Sequence, residues 1–236
     1  MNQQAFVIEL HNLEFRWRAS KPLVLNIEQL SVAQGERLFI KGASGSGKST
    51  LLSLLGGVLS PQRGEIKVLD QWLQKMGGAR RDTFRADHIG FIFQMFNLIP
   101  YLTILENVIL PLHFSQRRRR RVEQQGGLQQ EAERLLAHLG LQGAMLHQAV
   151  TELSVGQQQR VAAARALIGG PEIIIADEPT SSLDADSREA FIHLLINECH
   201  AADSTLVFVS HDSSLETFFD RRLSLADVNK AEQAVM

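Results

Sequence analysis

With a single cysteine, Cys199, the 236-residue chain cannot close an intrachain disulfide, and a lone thiol fits a reducing compartment. It has no excess of charge either. Lys and Arg number 24 against 26 Asp and Glu, a net charge of −2. A protein that coats nucleic acid carries a basic footprint, and this balance argues against that class. The opening stretch, MNQQAFVIEL, has no basic segment and no apolar core, so no secretory signal is visible. Long apolar runs are also missing. The most apolar stretch, NLIPYLTILENVILPLHF, is interrupted by Asn, Thr, Glu and two Pro, which is not the pattern of a bilayer span. Together these absences predict a cytosolic chain.

The composition is that of an ordinary globular protein, 44% hydrophobic and 21% charged. The length suits one large α/β domain, or a core carrying an inserted subdomain. Phe6, Ile8 and Leu10, then Leu13, Phe15 and Trp17, recur with period two and predict antiparallel strands. ERLFIKG reads as a short buried strand running through a Gly-rich loop into the helix STLLSLLGGVL. Residues 95–165 differ: they are rich in Gln and Arg, carry helical patterns such as EAERLLAHLGL, and show no convincing strand. From Pro171 onward strand and helix alternate through EIIIAD, SREAFIHLLINECH, TLVFVSHD and RRLSL. Such alternation implies a parallel sheet. The expected architecture is therefore a nucleotide-binding core, 1–94 and 166–236, interrupted by a helical subdomain, 95–165, with no accessory domain after the last strand.

GASGSGKST fits G-x-x-x-x-G-K-[ST] at Gly42, Gly47, Lys48 and Ser49, between a strand and a helix, which is the context that gives the pattern meaning. Backbone amides of Gly42, Ala43, Ser44, Gly45, Ser46, Gly47, Lys48, Ser49 and Thr50 can turn inward around phosphate oxygens, reinforced by the helix N-terminus. Lys48 would reach the β- and γ-phosphates, and the Ser49 hydroxyl would ligate Mg²⁺. EIIIADEP is a β-branched run ending in Asp177 and Glu178. Ligands bind at the carboxyl ends of parallel strands, so Asp177 is expected to hold Mg²⁺ and Glu178 to polarise an attacking water as general base. His211 follows another apolar strand. Alone it would read as structural or solvated; beside the two acids it reads as a γ-phosphate sensor. Gln94 closes a third apolar run, where a neutral amide can contact Mg²⁺ or the attacking water, or merely end a strand.

LSVGQQQR, residues 153–160, places Ser154 three residues before Gln157, a capping-box pattern ahead of the helix VAAARAL. A well-capped helix is one reading. The other is an anion site at a helix N-terminus, which a symmetric pairing of two chains would present to the nucleotide of the other copy.

Taken in order, GASGSGKST, Gln94, LSVGQQQR, IIIADEPT, SSLD and His211 resemble the ATP-binding subunits of ABC transporters over nearly the whole chain. FQMFNLIPYLTILENVILPL and GQQQRVAAARAL are most similar to the lipoprotein-releasing, macrolide-exporting and cell-division ATPases. The resemblance implies an α/β P-loop NTPase fold with a mainly parallel sheet, an N-terminal antiparallel β subdomain and an inserted helical subdomain. It implies Mg²⁺-dependent hydrolysis of ATP in a head-to-tail dimer, with Ser154, Gly156 and Gln157 facing the partner's ATP and SSLD (Ser181–Asp184) communicating across it. It also implies an integral membrane permease as partner, no nucleic acid, and a cytoplasmic position on the inner face of the cell membrane. An aromatic side chain upstream of the phosphate loop should stack on adenine. Trp17 matches that position, with Phe15 as the alternative and a core aromatic as the competing reading.

Two features depart from the pattern: Val155 stands where Gly is usual, and the block Arg117–Arg121 has no counterpart. That block is expected to be a solvated face, or less simply a contact with anionic lipid headgroups. The rival functions are mechanical signalling to the cell envelope without transport, a soluble ABC ATPase of translation or DNA repair, and a regulatory module that clamps nucleotide without turnover. The second usually carries two ATPase units or a long coiled coil, and the third has no need of Glu178.

Overall fold

The two-residue alternation at the N-terminus changes phase between Leu10 and Leu13. In the computed structural model, which describes residues 5–231, both phases lie on one strand, β1 (Phe6–Phe15), rather than on separate strands. There follow β2 (Leu25–Ala33), β3 (Arg37–Lys41), α1 (Lys48–Leu55), β4 (Arg63–Val68), β5 (Gln71–Trp72) and α2 (Gly78–His88). Next come β6 (Ile89–Ile92), α3 (Ile104–Ile109), α4 (Gln116–Gln124), α5 (Leu128–His138) and α6 (Val155–Leu167). The chain ends with β7 (Ile173–Asp177), α7 (Ala185–Ala201), β8 (Thr205–Ser210), β9 (Arg221–Ser224) and α8 (Leu225–Val228). β1 pairs antiparallel with β2 and β4, and the phase change falls where its register with β4 shifts, between His11 and Glu14. Asn12, inside that irregularity, has φ 48°, a left-handed conformation that Asn tolerates better than most residues.

The chain divides into two compact units, 5–85 with 207–231, and 86–206. The first holds the antiparallel sheet, in the order β2-β1-β4-β5. It also holds β3, which lies between the Val207–Ser210 part of β8 and β9, parallel to the latter. Phe39, Phe208 and Phe219 form an aromatic cluster there, with ring centroids 5.0–6.1 Å apart. α1 turns Leu51, Leu52, Leu54 and Leu55 into this core.

The second unit contains the parallel pair β6 and β7, with Ile92 opposite Ala176, and helices α3 to α7. α6 is buried along Val161, Ala162, Ala163, Ala164 and Ala166. Its small side chains let β6 press against it: a Cβ on Gly90 would stand 2.3 Å from the Ala166 carbonyl oxygen, so only glycine fits.

The arginine block is solvated only in part: Arg117, Arg119 and Arg120 are exposed, Arg121 is half-buried and Arg118 is buried. It occupies α4, where Arg118 is only 2% exposed and donates to the carbonyls of Ala166 (2.9 Å) and Ile168 (2.8 Å from Nε). These are C-terminal carbonyls of α6, which the helix itself leaves without donors. Burial pushes the Arg118 guanidinium down to about 10. Arg117 and Arg121 both reach Glu172, at 2.5 and 2.8 Å, and His88 Nδ1 lies 2.9 Å from the same carboxylate. Arg119 and Arg120 face solvent, Arg119 pairing with Glu123. Burial alone would raise the Glu172 carboxyl, but the hydrogen bonds from His88, Arg117 and Arg121 hold it well below the usual carboxylate range.

A carboxyl whose pKa is depressed by folding stabilises the fold above its unfolded pKa of about 4.3, and the contribution fades as pH falls toward the lower folded value. Glu172→Gln therefore lowers stability by about 1–3 kcal/mol at neutral pH. Urea unfolding from pH 7 to pH 3 checks this: the gap between variant and wild type narrows below about pH 4.

Candidate functional site

In the first unit, β3 ends at Lys41 and the chain enters the glycine loop 42–47. Gly47 is the N-cap of α1 with φ 98°, and a Cβ there would meet Leu25 Cδ2 at 2.9 Å. No other residue satisfies both the left-handed backbone and the close approach. Because glycine has no capping side chain, the first turn of α1 presents its amides uncapped. The Lys48 ammonium donates to the carbonyls of Gly42 (2.8 Å) and Ala43 (2.9 Å), folding back over the loop. The Ser46 hydroxyl is buried there without a hydrogen-bond partner in the protein. Amides, an ammonium and an orphan hydroxyl around one loop form a donor set for a polyanion such as a nucleotide phosphate chain.

His211 belongs to the same unit, directly after β8, and β8 neighbours β3. Lys41, at the entry to the loop, lies 2.5 Å from the Ser213 hydroxyl and 3.4 Å from Glu216. The turn carrying His211 is thus tied to the mouth of the glycine loop. Trp17 lies just beyond β1 and is 61% exposed, its ring edge-on to Phe15 with centroids 5.3 Å apart. Trp17 is not a core aromatic. Phe15 is, being 4% exposed.

In the second unit, β6 and β7 run parallel with Ile92 and Ala176 in register, so Gln94, Asp177 and Glu178 leave from the same edge of the pair. Glu178 has φ 44°. A left-handed glutamate costs on the order of 1–2 kcal/mol, and such strain concentrates where a side chain must be aimed. Among the described residues no three His, Cys, Asp or Glu side chains form a metal cage. Ser49 in the first unit and Gln94 and Asp177 in the second each carry a hard oxygen donor of the type Mg²⁺ takes. By donor type each of these side chains suits such an ion.

α6 begins as its sequence predicts. The Ser154 hydroxyl accepts from the Gln157 amide (3.3 Å), and the Gln157 side-chain oxygen accepts from the Ser154 amide (2.9 Å). This capping box takes up the Gln157 amide and leaves those of Val155 and Gly156 for an outside acceptor. Val155 is the first residue of the helix and is exposed. A cavity of about 370 Å³ opens beside this helix start, lined by Ser154, Gly156, Gln157, Ser182, Leu183 and Asp184. The helix start and the SSLD turn therefore share one recess. Gly156 has no need to be glycine on account of its own chain. Its φ is not positive, and the nearest atom to an added Cβ is Leu183 Cδ2 at 3.5 Å, an ordinary contact.

The family profile described as ABC transporter matches residues 25–181. A lipoprotein-releasing system ATP-binding protein LolD from Syntrophotalea carbinolica is 37% identical over 229 residues, which cover 96% of this chain and 98% of the relative. A macrolide export ATP-binding/permease protein MacB from Chromobacterium violaceum is 41% identical over 209 residues, covering 86% of this chain but 30% of that longer protein. Among solved structures, the dimeric post-hydrolysis state of the ATP-binding cassette MJ0796 bound to ADP and Pi superposes with a TM-score of 0.82. The identity is 35%, over 95% of this chain and 97% of that one.

The exposure of Trp17 sets up a direct test. Trp17→Ala leaves thermal stability within about 0.5 kcal/mol of wild type, as expected at an exposed site. If the ring stacks on a base, the same variant weakens ATP binding by about 1–3 kcal/mol. Calorimetric titration and a melting curve on one preparation measure both.

Proposed function

The chain belongs to the ABC transporter family of ATP-binding proteins, and from that premise we propose that two copies close head to tail on two ATP molecules and drive a separate membrane permease. The family membership makes it an ATPase. The observation that carries the head-to-tail reading is Gly156: a glycine at a helix start, beside an open recess, that its own chain does not require. A nucleotide of another copy resting on α6 supplies the missing constraint, since any side chain there would stand between the helix amides and the phosphates.

In this reading residues 1–236 form one ATPase domain, with 95–165 as its helical signature subdomain. The amides of 42–50 wrap the phosphates, Lys48 neutralises the β- and γ-oxygens, and Trp17 stacks on adenine. Mg²⁺, when bound, offsets the charge of the phosphate oxygens; Ser49, Asp177 and Gln94 are the side chains that would hold it. Glu178, whose backbone is left-handed just past the strand end, takes the proton of the attacking water. His211 donates to the γ-phosphate. From the opposite copy, Ser154 and the Val155 and Gly156 amides complete the cradle, with Gln157 holding the helix start rigid. Val155 is a tolerated variation, because it keeps its amide and costs only a few tenths of a kcal/mol in helix propensity.

The permease contact falls on the segment after Gln94, where Met95, Tyr101 and Phe114 are exposed large apolar side chains. No described helix is long and apolar enough to cross a membrane, so a permease partner would supply the transmembrane path. By its likeness to LolD and MacB the complex exports a substrate or releases a lipoprotein, with this chain peripheral on the cytoplasmic face.

Glu178→Gln binds Mg·ATP normally, slows hydrolysis ~10²–10⁴-fold and elutes as an ATP-dependent dimer in size-exclusion chromatography. A monomer with normal hydrolysis contradicts the role given to Glu178. Gly156→Ala separates fold from function: alanine favours the helix by about 0.5–1 kcal/mol, so the melting temperature holds or rises while hydrolysis falls. Undiminished hydrolysis would mean that α6 does not face the other copy's ATP.

A further inference from the structure

Arg165, in the second unit, is held by backbone rather than by a carboxylate. Arg165 is the single ionised side chain in the helix stretch VAAARAL, and its guanidinium lies half-buried. Among the described residues no Asp or Glu pairs with it, and burial lowers its pKa from the ordinary guanidinium value. Its contacts are with backbone instead. It donates to the carbonyl of Asn97 at 2.7 Å and to that of Phe96.

Those two residues form the turn that follows Gln94. Both are left-handed, Phe96 with φ 58° and Asn97 with φ 49°. Asn tolerates this conformation, but for a bulky residue such as Phe it is an outlier that persists only where surroundings impose it. Within the turn, the Phe96 amide donates to the Phe93 carbonyl at 2.9 Å and the Asn97 amide to the Met95 carbonyl at 2.6 Å. The Phe96 ring is buried while Met95, immediately before it, is 80% exposed. The turn is thus anchored inward by one ring and by the arginine fork, and open to solvent on its other side. α6, the helix from which Arg165 reaches, starts at the Ser154 capping box.

We propose that Arg165 is a positioning residue that locks the strained Gln94–Asn97 turn to α6, so that Gln94 and the Ser154 helix start respond to each other. The fork geometry matters, because a guanidinium spans two adjacent carbonyls and an ammonium engages one. The functional half of the proposal rests on Gln94 contacting Mg²⁺; the mechanical half does not.

Amide hydrogen exchange on the full-length chain without nucleotide tests the mechanical half. In Arg165→Ala the Phe96 and Asn97 amides exchange about tenfold faster or more, while those of 161–164 in α6 keep their wild-type protection. Arg165→Lys falls between the two. Unchanged exchange at Phe96 and Asn97, or exchange raised equally along all of α6, overturns the proposal. If Arg165→Ala fails to fold, Arg165→Lys decides alone: faster exchange confined to the turn supports the lock, and no change overturns it. The functional readout is the Mg²⁺ concentration for half-maximal ATP hydrolysis. It rises about tenfold in Arg165→Ala, with ATP affinity measured in EDTA unchanged, a split that general destabilisation would not produce. Gln94→Ala is the control. If it leaves the Mg²⁺ requirement unaltered, the role given to Gln94 falls, while the exchange data still decide the lock.

Discussion

The second unit depends on how α6 is held. Its interior is mostly alanine, which gives β6 a close approach but little side-chain surface to fix the helix against sliding. Position is set instead by polar contacts at both ends and along one face. The Ser154–Gln157 capping box closes the N-terminus, and the buried Arg118 fork satisfies the last carbonyls. Arg165 ties the flank to the Gln94 turn. Burying a guanidinium is costly, and Arg118 is tolerable only because carbonyls and the nearby Glu172 and Asp87 carboxylates surround it. The arrangement gives up some stability for a defined helix position, a sensible exchange if the start of α6 must meet a ligand at fixed geometry.

The two helix starts of the proposed site are built differently. α1 opens on a left-handed glycine with no capping side chain, so its amides stay available to phosphate. α6 caps itself and keeps only two amides for an outside acceptor. The first suits a deep, many-contact grip on one nucleotide. The second suits a lighter contact that forms and releases, as the proposed meeting with another copy's nucleotide requires.

Much of this was legible in the sequence because it rests on local rules. The glycine loop, the β-branched strand ending in Asp177 and Glu178, and the Ser154 capping box each follow from spacing within a few residues, and each occurs where the pattern puts it. What escaped rests on tertiary contacts. Five consecutive arginines look like a solvated block, yet a helix turns every third or fourth one to the same side, and Arg117, Arg118 and Arg121 meet a carboxylate and carbonyls some fifty residues away. β1 read as separate strands because a bulge at Asn12 shifts the phase, and strand period alone cannot tell a bulge from a turn. The left-handed backbones of Glu178 and Phe96 leave no trace in the sequence. Arg165 did leave one: a charge set among small apolar residues needs a partner, and that partner turned out to be backbone.

The central claim is that the nucleotide held by one copy's glycine loop meets the α6 start of another copy. The chain suits a thiol cross-linking test, since its only cysteine, Cys199, is buried and burial pushes its thiol up to about 12, out of reach of mild reagents. Ser44→Cys and Val155→Cys chains are prepared separately, each in the Glu178→Gln background, and treated with a short bifunctional maleimide. Neither variant cross-links alone, whereas an equal mixture with Mg·ATP gives a covalent dimer containing one chain of each kind. Cross-linking of either variant with itself, or a double variant that closes only within one chain, would contradict the account.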